Sequence, residues 1–323
     1  MNILAIKPDH LGDFALALPV LWELQQMASE DGRLDVMVSP PNAEWSAILD
    51  WLPNLIPIWH PRYFRPRKKF APIASSKILA QAFALQKNRY DFGVELTSSE
   101  NDALDKFIFI AAGVKWSSGP QGAHSFLLNE KHALQMTHQT KILAARCPEK
   151  LEIIGETDPA QFMPPEMRWR GKNAGEFILL SPWAGTTAKE WPHWKKLTQK
   201  LDNWKILAPP DRMTEARNLC EGIDDRLAPT RSIRETLEWL CNTKFVVTVD
   251  SATAHFAWLT GTPIVQIFSG TTESQRWASL ASGVRLEKLP SCSPCHLEQC
   301  NQQEHFCMDG ISVNDVLDAI QKL

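Results

Sequence analysis

The residues best placed to do chemistry are Asp250, Ser251 and His255, in the stretch KFVVTVDSATAHFAWLTGTPIVQIFSGTTE at 244–273. Its pattern is a buried strand over Phe245–Val249, a turn, a helix carrying His255, and a second apolar strand over Ile264–Phe268. In open α/β sheets ligands bind at the carboxyl ends of strands, where such a turn falls. Free N–H groups and the helix dipole at that point favour a phosphate. A carboxylate there can also accept hydrogen bonds from sugar hydroxyls. Asp250 or Ser251 could equally cap the helix and do nothing more. Spacing alone leaves both readings open.

Three further stretches carry candidate chemistry. Lys7-Pro8-Asp9-His10-Leu11-Gly12-Asp13 leaves the first strand and enters a helix. Asp13 could act there as a general base and His10 as a second proton carrier, or Asp13 could simply cap the helix. In SPWAGTTAKEWP (181–192), Thr186, Thr187 and Lys189 precede a helix with an early Pro192. Hydroxyls, backbone N–H groups and one cation suit a diphosphate, although a capped surface loop would read the same. Five cations and three aromatics mix at 62–70, with Arg62, Arg65, Arg67, Lys68 and Lys69 among them. Such a loop could meet anionic headgroups or an anionic acceptor, against the plainer alternative of a solvated charge run.

The cysteines form a fourth group. Cys292, Cys295, Cys300 and Cys307 are four of the chain's seven and fall within 16 residues. That spacing suits a structural Zn or Fe, with His296 and His305 as alternative ligands; a reduced loop is the other reading.

Alternating strand-like and helix-like segments must position these residues. Strands are expected at 2–7, 34–38, 55–59 and 90–96, with helices at 13–30, 42–51, 75–87, 102–112 and 137–146. A stretch rich in Pro and Gly at 155–175 reads as a linker. Strands at 176–181 and 204–208 then alternate with helices at 191–201, 213–222 and 232–242. The expected organisation is one domain over 1–158, a second over 175–311, and a closing helix at 312–323 that could pack back toward the first domain. Such alternation implies parallel βαβ units, hence two Rossmann-like domains facing a cleft.

Composition limits the function. The 323 residues are 44% hydrophobic and 22% charged, ordinary values for a soluble protein. A formal net charge of −3 argues against a nucleic-acid binder. No apolar run approaches the roughly 18–20 residues of a membrane span, and the N-terminus reads as a strand rather than a secretion signal. A cytoplasmic location is expected, and in that compartment cysteines serve as thiols or ligands more than as disulfides. GxGxxG is absent, so a dinucleotide cofactor is not indicated.

Taken together, HLGDFALALP (10–19), TTAKEWP (186–192), VTVDSATAHFAWLTGTPIVQIFSGTT (247–272) and the tail ending CMDGIS (307–312) resemble glycosyltransferase family 9, best known for ADP-heptose:lipopolysaccharide heptosyltransferases. The resemblance runs along nearly the whole chain. It implies the GT-B architecture, with acceptor on the N-terminal domain and nucleotide sugar on the C-terminal one. It implies inverting transfer of a heptose from ADP-heptose to an anionic glycolipid or glycan of the cell envelope, with no cofactor and with peripheral contact at the inner membrane. By position, Asp13 would be the base, and Lys189 with Thr186 and Thr187 would hold the diphosphate. Asp250, Ser251, Ala252 and His255 would complete the donor site, and His10 and the basic loop would receive the acceptor. The family often has Thr-Gly where this chain has Ser251-Ala252. A different sugar or a protein acceptor, a nucleotide-sugar epimerase, and a non-catalytic sugar-nucleotide-binding protein are the alternatives. Iron bound by tail cysteines occurs in one branch of the family.

Overall fold

The computed structural model describes residues 1–28, 32–61, 67–98, 102–133, 137–147 and 158–323. The chain divides into two compact units, Met1–Thr157 and Asp158–Leu323. In the first, β1 (Asn2–Lys7), α1 (Leu11–Ala15), α2 (Leu18–Ala28), β2 (Arg33–Val38) and β3 (Leu55–Pro57) are followed by α3 (Arg67–Ala84) and β4 (Phe92–Glu95). Next come α4 (Ala103–Ala111), β5 (Trp116–Pro120), β6 (Glu130–His132) and α5 (Gln139–Ala144). The strands form one parallel sheet in the order β3-β2-β1-β4-β5-β6. Ile3, Leu4, Ala5 and Ile6 are all fully buried, because a sheet covered on both faces turns its central strands into continuous apolar runs.

The second unit repeats the scheme. It contains β7 (Ile178–Ser181), α6 (Trp194–Thr198), β8 (Trp204–Ala208), α7 (Met213–Leu219), β9 (Leu227–Pro229) and α8 (Ile233–Cys241). Then follow β10 (Phe245–Val249), α9 (Ala252–Thr260), β11 (Ile264–Phe268), α10 (Ser274–Trp277), β12 (Gly283–Glu287), α11 (Phe306–Asp309) and α12 (Val313–Ile320). Its parallel sheet runs β12-β11-β10-β7-β8-β9. Both units are therefore Rossmann-like. In each, the first strand lies beside the fourth, and strand order reverses between them. That reversal opens a crevice at the carboxyl ends of the two strands, where α/β folds bind ligands. The switch points are β1 with β4, and β7 with β10.

Several elements differ from the sequence expectation. The helix expected over 13–30 is two helices, because the chain turns at Leu16 and Ala17 and Pro19 sits in the first turn of α2, where a missing N–H costs nothing. The expected helix at 42–51 is a 3-10 helix over Pro40–Ala47. The basic stretch at 62–70 is not all loop, since α3 begins at Arg67 and runs through Pro72. Strands β5 and β6 occupy the region that pattern left unread. The expected linker is packed from Asp158 onward. Phe162, Met163 and Met167 are buried there, and the Trp169 indole donates to the Thr243 carbonyl at 2.8 Å. Pro and Gly marked irregular backbone, which is not the same as exposed backbone. The closing α12 buries Val316 and Ala319 in the second unit's own core. No helix among the described residues is long and apolar enough to cross a membrane.

Candidate functional site

At the switch point of the second unit, Lys189 Nζ lies 2.6 Å from Asp250 Oδ2, so the turns after β7 and β10 meet in an ion pair. Asp250 is nearly buried and Lys189 is three-quarters buried. Ser251 stands at the N-cap of α9 in extended conformation, but no side chain caps the helix. Its hydroxyl pairs instead with that of Thr248, at 3.2 Å. The capping alternative for Ser251 therefore fails; Ala254 N donates to the Ser251 carbonyl at 3.1 Å, and the Ala252 and Thr253 N–H groups are left for another acceptor. Thr186 Oγ1 is buried with no hydrogen-bond partner among the described residues, and so is Thr272 Oγ1 beyond β11. An orphaned buried hydroxyl costs about 1–3 kcal/mol, so each such atom calls for a partner from a water or a ligand. Thr187 is exposed, Ala252 is half-buried, and His255 is buried one turn along α9.

The loop that carries these groups is held from outside by the cysteine tail. Ala188 N donates to the Glu298 carbonyl at 3.1 Å, and the Thr187 hydroxyl reaches the same oxygen at 3.4 Å. His305 Nε2 sits 3.0 Å from the Ala188 carbonyl oxygen. Just beyond the loop, the Trp191 indole donates to the Ile311 carbonyl at 2.8 Å. The tail also rests on the turn after β11, where Cys295 N bonds the Gly270 carbonyl at 3.2 Å. The bonds between the tail and residues 187–191 were not visible in the sequence, because those partners are more than a hundred residues apart.

All seven cysteines are free thiols. Burial pushes the Cys307 thiol up, and the neighbouring Cys300, Cys295 and Cys292 add to that. Four thiolates around one zinc would stand about 4 Å apart. Among the described residues, no three of the tail sulfurs lie within 4.8 Å of one another. His60, Asp102 and Asp105 form the one such group among the described residues.

In the first unit, β1 and β4 bring together a buried polar set. Lys7 Nζ and Asp9 Oδ2 pair at 2.6 Å, both fully buried. Asp9 Oδ1 accepts from the Ser98 hydroxyl at 2.9 Å beyond β4, while the Asp9 carbonyl accepts from Ser39 and Asn42 beyond β2. The backbone entering α1 is thus pinned from both neighbouring strands. His10 follows as an exposed N-cap residue without a side-chain cap bond, and Asp13 lies half-buried in the first turn of α1. Asp13 is inside the helix, so it is not the N-cap.

Behind them Glu95 pairs with Lys106 at 2.7 Å, and Arg146 donates to the Glu95 and Thr97 carbonyls. Burial drives the Glu95 pKa up to about 8, partly opposed by Lys106. His60 Nε2 lies 3.3 Å from Asp105 and 3.9 Å from Asp102. Burial works against charge on His60, but the hydrogen bond and charge of Asp105, with Asp102 and Asp9, hold its pKa above the ordinary value. Sequence reading passed over Lys7, Asp9, Glu95, Lys106 and His60. A Lys and an Asp closing an otherwise apolar strand were the one available signal. Arg62 and Arg65 of the basic stretch lie outside the described residues, while Arg67, Lys68 and Lys69 fall in the opening turn of α3.

Comparison with known proteins agrees with this geometry. A family model described as "Glycosyltransferase family 9 (heptosyltransferase)" matches residues 78–305. Lipopolysaccharide heptosyltransferase 1 of Escherichia coli K12 is 26% identical over 295 residues, 84% of this chain and 88% of that protein. The structure of E. coli heptosyltransferase WaaC with ADP-2-deoxy-2-fluoro heptose superposes with a TM-score of 0.71 at 19% identity, over 100% of this chain and 99% of that one. A glycosyl transferase family 9 structure from Veillonella parvula gives 0.72 at 13% identity, over 99% and 96% of the two chains. These structural likenesses establish the GT-B fold.

Proposed function

The chain belongs to glycosyltransferase family 9, and from that premise we propose that it moves a heptose from ADP-heptose to an anionic glycan acceptor of the cell envelope, such as lipopolysaccharide inner core. The observation that carries this reading is the donor-side cluster: the Lys189–Asp250 pair, the orphaned Thr186 hydroxyl and the uncapped start of α9 meet at one switch point. It supplies a cation, a hydroxyl and backbone N–H groups, which is what a diphosphate needs. Asp250 would leave Lys189 for the ligand or hold it in place, and Ser251, Ala252 and His255 would border the nucleotide sugar. The name of the curated relatives, lipopolysaccharide heptosyltransferase 1, supports a heptose and a lipopolysaccharide acceptor, and the ADP-2-deoxy-2-fluoro heptose in the WaaC structure supports an ADP-linked donor.

Transfer is proposed to be inverting and to need no metal or other cofactor. Asp13 takes the proton from the acceptor hydroxyl as its oxygen attacks the anomeric carbon from the face opposite the leaving group. The bond from that carbon to the diphosphate oxygen breaks, and the diphosphate takes the electron pair. Lys189, Thr186, Thr187 and the α9 terminus stabilise the charge that gathers there. His10 and the basic residues Arg62, Arg65, Arg67, Lys68 and Lys69 would receive the anionic acceptor. The first unit would thus serve the acceptor and the second the donor. Lipid-linked acceptors would bring the enzyme to the cytoplasmic face of the inner membrane as a peripheral protein.

Thermal stabilisation by a panel of nucleotides and nucleotide sugars tests the donor assignment. ADP and ADP-heptose should raise the melting temperature, since a ligand at about 100 times its Kd adds roughly 2.7 kcal/mol. In Lys189→Ala the ADP affinity should fall by about ten- to a hundredfold, the range for a hydrogen bond to a charged group. Stabilisation by uridine nucleotides in place of ADP would move the function to another sugar.

A further inference from the structure

From Trp51 to Tyr90 the sequence carries eight Lys and Arg residues and no Asp or Glu, in a chain of formal net charge −3. Helix α3 lies inside that run and packs side by side with α4, where Ile78 and Ala82 join Ile108 and Phe109 in one apolar cluster. The opposite faces of both helices are exposed. On α3 and the turn after it, Ile73, Lys77, Ala80, Phe83 and Lys87 follow one another at steps of three or four residues. On α4, Phe107 and Ile110 stand one turn apart. Phe83 is 64% exposed, Ile73 and Ile110 56%, and Phe107 47%. Single exposed apolar residues are ordinary, but four large ones on one helix pair, mixed with lysines, are a patch. Of the acids of α4, Asp105 is fully buried against His60, and Asp102, largely buried, accepts from Leu104 N as the helix cap.

We infer that the outer face of α3 and α4 docks on an anionic lipid bilayer. Phenylalanine and isoleucine side chains enter the boundary between headgroups and acyl chains, while Lys77 and Lys87 meet lipid phosphates. A second copy of the chain fits this face poorly, because a two-fold contact would set the lysines of one copy against those of the other. The inference deepens the peripheral association proposed above and rests on it for the choice of lipid. Docking here would present the start of α3, into which the basic stretch runs, to a lipid-borne acceptor.

Co-sedimentation of the full chain with vesicles tests it, without donor or acceptor present. The wild type should bind vesicles of phosphatidylcholine mixed with phosphatidylglycerol and leave pure phosphatidylcholine largely unbound. Phe83→Ser with Ile110→Ser should lower binding at least about tenfold. Lys77→Glu with Lys87→Glu should lower it by on the order of fivefold per lysine, and rising salt should weaken wild-type binding. Circular dichroism and ADP binding should be unchanged in both pairs. Failure of the wild type to bind either vesicle, or variants that bind like the wild type, would overturn the inference. So would a lipid-free shift from dimer to monomer in the serine pair, which would make the face a self-association surface. Vesicle binding without any ADP binding would instead sink the transferase reading and leave the docking surface standing.

Discussion

At the scale of single residues, position in the fold separates roles that the sequence left merged. Asp9 and Asp13 are both acids beside β1, yet Asp9 is buried and paired with Lys7, while Asp13 stays half-buried in the first turn of α1. A buried, paired carboxylate is a poor base because its charge is already committed, and the base role is therefore proposed for Asp13 rather than Asp9. Replacing Asp13 by Asn should cut kcat by about 10²–10⁴-fold, the usual worth of a general base, and leave ADP affinity unchanged. Steady-state kinetics with ADP titration would check the split, and a parallel loss of ADP affinity would deny Asp13 that role. His60 gives the pH counterpart. Its folded pKa is raised above the 6.5 of the free side chain, so the folded protein holds that proton more tightly than the unfolded chain. The resulting stabilisation is complete below about 6.5 and fades as pH rises through the folded value. Thermal melts of His60→Asn should therefore fall furthest below wild type on the acid side of neutrality and converge with it in alkali. A deficit that is constant with pH would mean that His60 acts through packing alone.

At the scale of elements, strands and their carboxyl-end turns were legible and the framework behind them was not. The strand pattern at Phe245–Val249 and the acid after it placed Asp250 correctly, because buried parallel strands are written as continuous apolar runs. The edge strand β3 was expected, but β9 and β12 were missed: β9 has three residues, and β12 leaves its side chains partly exposed, so neither carries such a run. Lys189 and Asp250 were linked in the sequence by following strands of one expected sheet and by the resemblance, since 61 residues separate them and no periodicity pairs them. The cysteine tail was read for its thiols, whereas its described bonds to residues 187–191 come from backbone carbonyls and from His305. Trp191 tests that framework. It is almost wholly buried, lies edge-on to Trp194 at 5.2 Å, and donates to the Ile311 carbonyl. Trp191→Phe keeps an aromatic ring but orphans that carbonyl, at a cost of about 1–3 kcal/mol. Denaturant unfolding should show that loss, and ADP titration should show several-fold weaker binding, because the tail that bonds Ala188 is no longer anchored beside it. Lost stability with unchanged ADP affinity would confine the tail to holding the fold.

At the scale of the whole molecule, one architecture is used twice with different chemistry at each switch point. The first unit lines its crevice with the buried pairs Lys7–Asp9 and Lys106–Glu95. The second leaves its crevice incomplete, with orphaned hydroxyls at Thr186 and Thr272 and an uncapped α9. Buried ion pairs contribute little net stability against apolar packing, but removing one partner is costly, so such a network fixes geometry more than it adds strength. A set of unsatisfied donors does the reverse, giving up stability that a ligand restores on binding. This contrast predicts an uneven response to ADP in hydrogen exchange. Protection should rise at 186–189, in the first turn of α9 and at 270–273. It should extend to 298–310, which bonds the donor loop without touching a nucleotide placed at the switch point. The strands of the first unit should exchange at the same rate with and without ADP. Equal protection across both units would mean that the nucleotide reorganises the first unit as well, and protection lacking at 298–310 would show that the tail does not follow the loop it holds.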